Sequence, residues 1–200
     1  MKNAVTGAYA SVKWPPLVVA TAHGALTIRQ AAPGDMPHFA QWDRDPDVIA
    51  CSTDDAEAEE AFGDADWAEE IAANSDLSCF YVAELDGRAF GALQVIDPHR
   101  EPTHYWGDIE PNLRAIDIWI GAPEDRNRGL GAAMMRAVID RCFADGADAI
   151  VIDPLASNTR AHRFYERLGF RFVERRTFGD SDCFVYRLEV RGRRLSYAGL

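Results

Sequence analysis

The chain has 200 residues, 48% apolar and 26% charged, and its 21 basic against 32 acidic side chains give a formal net charge of -11. This composition excludes a disordered or fibrous chain, and at this length about 70% of the unfolded surface can be buried, so one domain can hold its core without disulfide or structural metal. The negative field repels phosphate backbones and anionic headgroups, which sets aside nucleic acid and membrane surfaces as partners and favours a small cationic molecule.

Residues 1–23 lack sustained periodicity, and Pro15 and Pro16 precede only a short apolar run. The segment therefore reads as an N-terminal arm or an edge strand and not as a secretory core. No stretch approaches the roughly 18 apolar residues of a membrane span. Cys51, Cys79, Cys142 and Cys183 stand singly, without a Cys-x-x-Cys pair, which argues against a disulfide scaffold or a zinc module and fits a reducing, cytoplasmic setting. Leu26 and Ile28 alternate with Thr27 and Arg29, predicting a first strand over 25–29, and Pro33-Gly34-Asp35 then opens a helix carrying Met36, Phe39 and Trp42. Asp45-Pro46-Asp47 breaks that helix. Residues 57–73, rich in Ala and Glu around Phe62, Trp67 and Ile71, predict an amphipathic second helix whose acidic run is a solvated face or, secondarily, the rim of a site.

Two strands over 79–85 and 88–97 flank Asp86-Gly87, a pair that supplies the positive φ angles of a tight hairpin. Residues 98–113 read as a polar loop holding Tyr105, Trp106, Asp108 and Glu110. Next, Ile116, Ile118 and Ile120 alternate with Asp117 and Trp119, so a fourth strand turns one face to the core and presents a carboxylate and an indole on the other. A helix over 129–144, a buried strand over 149–152 ended by Asp153-Pro154, a helix over 158–168 stopped by Gly169, and strands over 170–176 and 182–189 follow. The predicted architecture is mixed α/β, a central sheet of six to seven strands flanked by four helices, with the domain at 24–190 and a tail at 191–200.

The run Arg126-Asn127-Arg128-Gly129-Leu130-Gly131-Ala132 lies between the fourth strand and the third helix. Small residues there leave backbone N–H groups aimed outward at a helix N-terminus, where the macrodipole favours pyrophosphate, and Arg126 and Arg128 add charge. A lone Gly-x-Gly reads as a glycine-eased loop. This run, however, resembles motif A of the GNAT superfamily of acyl-CoA-dependent N-acetyltransferases, Gln/Arg-x-x-Gly-x-Gly/Ala, with Arg126, Gly129 and Gly131 at the matching positions. Downstream, Asn158, Ala161, Tyr165, Gly169 and Phe170 match motif B, Asn-x-x-Ala-x-x-x-Tyr-x-x-x-Gly-Phe.

The resemblance implies a GNAT fold whose sheet splits between the fourth and fifth predicted strands to receive acetyl-CoA as cosubstrate. Main-chain groups of Ile118, Trp119, Ile120 and Gly121 would pair with the pantetheine arm, and one N–H near Trp119 or Ile120 would polarise the thioester. Asn127, Leu130 and Ala132 would join Arg126, Arg128, Gly129 and Gly131 in holding the cofactor, with Asn158 and Tyr165 further along the same crevice. Tyr165 would give a proton to the departing thiolate, the alternative being core packing, since Phe164 and Tyr165 cannot share one side of a helix.

The segment from Glu110 to Asp117 and the turn Asp153-Pro154-Leu155-Ala156-Ser157-Asn158 resemble acidic segments of aminoglycoside 6'-N-acetyltransferases. The resemblance implies that Asp117 and Asp153 face the acceptor across one crevice, hold its ammonium and take its proton, with Trp106 and Glu110 walling the same space. Against this, each aspartate could cap a turn or pair with Arg114 or Arg160. The function expected is acetyl transfer to a primary amine of a small cationic acceptor, an aminoglycoside 6'-amine first, by a monomer or homodimer without a metal. Alternatives are an N-hydroxylysine acyltransferase of the siderophore type, a non-catalytic CoA sensor, and an interaction domain that docks through its acidic helix.

Overall fold

The computed structural model describes residues 10–190. Strand β1 (Leu17–Thr21) pairs antiparallel with β2 (Gly24–Gln30), so part of the expected arm is an edge strand, which brings the sheet to one strand more than predicted. The rest of that arm, 1–9, and the expected tail, 191–200, lie outside the described residues. Helix α1 (Met36–Asp43) ends where predicted, but Asp45-Pro46 is a start as well as a stop. The Asp45 carboxylate accepts from the N–H groups of Asp47 and Val48, and Pro46 occupies a first-turn position that needs no donor, so α2 (Pro46–Ser52) begins there.

The long acidic helix is not formed; only α3 (Trp67–Ala72), capped by Asp66, is helical. Its expected first half is a series of turns because the buried carboxylate of Asp43 takes the Phe62 N–H and the Trp67 indole N–H, both at 2.9 Å. A straight helix cannot deliver both donors to one carboxylate while laying Phe62 and Trp67 against each other at 5.5 Å.

The hairpin of β3 (Ser78–Leu85) and β4 (Arg88–Ile96) turns through Asp86 and Gly87, at φ 49° and 83°. Then come β5 (Leu113–Ile120), α4 (Leu130–Ala144), β6 (Ala149–Ile152), α5 (Thr159–Leu168), β7 (Arg171–Phe178) and β8 (Ser181–Glu189). The strands form one sheet in the order β1-β2-β3-β4-β5-β6-β8-β7, antiparallel except for β5 and β6. Strand alternation gives each face its own core. Tyr81, Leu93 and Ile116 pack with Met134, Val138 and Tyr165 under α4 and α5, while Phe80, Val82, Ala92 and Trp119 pack with Phe39, Trp42 and Trp67 under α1 to α3. Among the described residues no helix is long and apolar enough to cross a membrane.

The split that the resemblance implied has a local cause. β5 pairs with β6 only from Leu113 to Ala115, opposite Ala149 to Val151. Beyond that, β8 draws the chain away: the Phe184 N–H donates to Pro154, the Ala156 N–H donates to Asp182, and Leu155 bridges Cys183. Among the described residues the β6-side edge of β5 past Ala115 has no strand partner, and the sheet opens there.

Candidate active site

A cavity of about 1240 Å³ occupies this opening. One wall is main chain. Helix α4 starts behind Asn127 (φ 60°) and Gly129 (φ 80°), and no side chain caps it, so the N–H groups of its first turn, from Leu130 to Ala132, face outward with the positive end of the helix behind them. A Cβ on Gly131 would sit 3.7 Å from Ile120 and 4.0 Å from Phe164, in the crevice between β5 and α5. These uncapped donors beside an unpaired strand edge fit a diphosphate joined to an amide-bearing arm, the chemistry of CoA.

The arginines of this loop are placed differently from the expectation of free charge. Arg126 pairs with Asp45 at 2.6 Å and with Asp47, and donates to the carbonyls of Ile120 and Gly121. Arg128 pairs with the buried Asp125 at 2.7 Å and approaches His23 on the β1–β2 turn. Across the cavity Asn158 caps α5 by accepting from the Ala161 N–H and donates to the Cys51 carbonyl, while Ser157 donates to Asp54. Residues of α2 and just beyond it are thus tied to both motif-bearing loops.

The opposite wall is made of side chains. Asp117 and Asp153 both line the cavity, as does Tyr165. Asp117 is solvent-exposed within the open cavity, yet the surrounding protein partly desolvates its carboxyl, and this, with the Asp153 charge second, pushes its pKa up to about 7. Burial also raises Asp153, opposed by the Tyr105 hydroxyl, which donates to it at 2.7 Å, and by Arg176. Tyr165 is 8% exposed, packs on Phe164 and Phe170, and has its pKa raised by burial and then by the two aspartates, so its hydroxyl stays protonated. Packing and cavity lining are therefore not exclusive for this residue.

Neither competing partner is paired with the aspartates among the described residues. Arg114 is buried against Asp97 and the carbonyls of Leu113 and Ala10, and Arg160 forms no ion pair among the described residues. Tyr105 is held on three sides: Glu101 accepts its N–H at 2.8 Å, Phe178 stacks on its ring at 4.7 Å, and its hydroxyl ends on Asp153. Trp106 lines the cavity but is 3% exposed, packed edge-on to Phe178. Glu110 is not brought to the cavity; it pairs with Arg187 on β8. The Trp119 side chain lies against Phe39 and Phe62, so this residue offers the crevice its backbone more than its ring. Sequence reasoning did not single out Cys51, Cys183 or the arginines of α5 as cavity residues. For the arginines the signal was present, because 160, 163 and 167 recur at i, i+3 and i+7 on a predicted helix.

Residues 32–178 match the acetyltransferase (GNAT) domain family. An aminoglycoside N(6')-acetyltransferase type 1 of Klebsiella pneumoniae is 31% identical over 113 residues, 56% of this chain and 56% of that protein. The chain thus spans just over half the length of that relative. Among solved structures, AAC(6')-Ib in complex with ribostamycin and coenzyme A is 25% identical at a TM-score of 0.70, covering 82% of this chain and 93% of that one. An uncharacterized protein of Bacillus halodurans, 17% identical at a TM-score of 0.74 over 88% of this chain and 91% of that one, shares the fold.

Proposed function

The chain belongs to the GNAT acetyltransferase family, and from that premise we propose that it transfers the acetyl group of acetyl-CoA to a primary amine of a small cationic acceptor, an aminoglycoside 6'-amine being the leading candidate. The observation that carries this reading is the pair Asp117 and Asp153 in one cavity with the uncapped start of α4, the Asp117 carboxyl being poised near neutrality. A relative that acetylates aminoglycosides at the 6' nitrogen, by its name, supports the acceptor class.

Acetyl-CoA supplies the activated acyl group. The first turn of α4 holds its diphosphate, and the free edge of β5 aligns the pantetheine arm. Asp153 attracts the acceptor ammonium, and ionised Asp117 removes its proton. The amine nitrogen then attacks the thioester carbonyl and the C–S bond breaks; the Tyr165 hydroxyl, kept protonated by its surroundings, hands a proton to the leaving sulfur, and the second proton shed by the nitrogen as the neutral amide forms restores that hydroxyl. The test is thiol release from acetyl-CoA with kanamycin-like and amikacin-like acceptors, N-hydroxylysine and a neutral amine. Turnover should favour the aminoglycosides; preference for the neutral amine would overturn the cationic reading, and preference for N-hydroxylysine would move the acceptor class.

A further inference from the structure

Cys51 lines the cavity, and the reaction as described does not use it. Of the four cysteines in the chain it alone is exposed. Cys79, Cys142 and Cys183 are buried, and loss of hydration pushes their thiols up to about 11, 12 and 12, which keeps them un-ionised and unreactive. Cys51 instead sits near the end of α2, a helix tied down at both ends. At its start Asp45 and Asp47 hold Arg126 of the glycine loop. Near its end the Asn158 amide donates to the Cys51 carbonyl at 3.3 Å, and just beyond it the Ser157 hydroxyl donates to Asp54 at 2.6 Å.

Asn158 and Tyr165 stand at i and i+7, so Cys51 is tied to the side of α5 that carries the tyrosine. Tyr165 lines the cavity and is only 8% exposed, yet its hydroxyl has no hydrogen-bond partner among the described residues. Cys51 is one of the groups whose charge that hydroxyl feels, with Asp117 and Asp153. Buried polar groups are satisfied in folded proteins, so an unpartnered hydroxyl facing a cavity marks the place of a ligand atom. In the reaction proposed above that atom is the CoA sulfur. A ligand sulfur and a protein thiol therefore converge on one hydroxyl.

We propose that Cys51 is a site of covalent modification by CoA disulfide, whose half bound along the free edge of β5 presents its sulfur at Tyr165 and is captured there as a mixed disulfide. The proposal rests on the donor and the Tyr165 role assigned under the proposed function. Cys51 loses its proton, and its thiolate attacks the sulfur of the bound half. A bond forms between Cys51 Sγ and that sulfur, the bond between the two CoA sulfurs breaks, and the departing CoA thiolate takes up a proton. Cys51 is oxidised and one CoA is reduced, so no further oxidant is required. The cavity continues past Tyr165 to Asp117 and Asp153, which gives the leaving half its way out. The product holds CoA where acetyl-CoA has to bind, and turnover stops until a thiol reductant removes it.

The test treats the full chain with CoA disulfide or with glutathione disulfide, which lacks the nucleotide and the pantetheine arm, and follows adducts by intact mass and peptide mapping. Modification of Cys51 by CoA disulfide should be faster by roughly tenfold or more, because binding holds the sulfur beside the thiol, and saturating acetyl-CoA should suppress it. The treated protein should lose acetyl transfer and regain it with dithiothreitol, while Cys51→Ser treated in the same way should keep whatever activity it had before. Equal rates for the two disulfides, or a CoA adduct that acetyl-CoA does not slow, overturns the proposal. Calorimetry with acetyl-CoA on the unaltered protein separates the two readings. Acetyl-CoA that binds while Cys51 shows no preference overturns the proposal and leaves the donor reading intact; acetyl-CoA that does not bind overturns both.

Discussion

The two walls of the cleft are built from different material. The donor wall is backbone from contiguous segments: the free edge of β5, the turn through Asn127 and Gly129, and the first turn of α4. The acceptor wall is side chains converging from far apart in the chain, with Tyr105 reaching Asp153 across 48 residues. A backbone site tolerates most changes of side chain and fails when its chain path is blocked. A side-chain site fails one group at a time. The variants below separate the two.

A large effect is expected at the point where the walls meet. Tyr165→Phe removes the proton donor but keeps the ring contacts to Phe164 and Phe170, so kcat should fall roughly ten- to a hundredfold with CoA affinity little changed. A kcat within twofold would make Tyr165 a packing residue alone. On the donor wall, Gly131→Val places two methyl groups between Ile120 and Phe164, and CoA Kd should rise about tenfold, visible by calorimetry, with the fold checked by circular dichroism. If the backbone account is wrong, that affinity stays put.

The smallest effect belongs to a single hydroxyl of the acceptor wall. Tyr105→Phe keeps the stack on Phe178 and loses only the hydrogen bond to Asp153. KM for a cationic acceptor should rise by about threefold to tenfold while CoA Kd does not move, the outcome for a residue that positions the carboxylate. Equal losses in both would point to a shifted loop.

The same division decides what could be read in advance. The Asp86-Gly87 hairpin, the Gly169 stop and the glycine loop are local patterns, and the structure has them where the chain order puts them. The Tyr105–Asp153 bond and the Asp43 bend that replaced half of the expected acidic helix depend on loop closure between distant residues, which leaves no periodicity to find. The α2 start is an intermediate case: Asp45-Pro46 is a good N-cap signal as well as a breaker, and with only seven residues following, no helical periodicity marks the second helix. The charges of Arg126 and Arg128 were visible, but the carboxylates that engage them, Asp45 and Asp47 among them, arrive from another part of the chain.

The central claim is that Asp117 is the base for an ammonium acceptor. Its carboxyl, pushed up to about 7, is mostly neutral below that pH and ionised above it, so the active base is populated as pH rises. The direct measurement is kcat/KM for an aminoglycoside between pH 5.5 and 8.5, in the unaltered protein and in Asp117→Asn, since this ratio reports ionisations of the free enzyme. The account predicts a rise through a pH of about 7 in the unaltered protein, and in the variant a rate lower by about a hundredfold with that rise gone. A variant that keeps both the rate and the rise would contradict it.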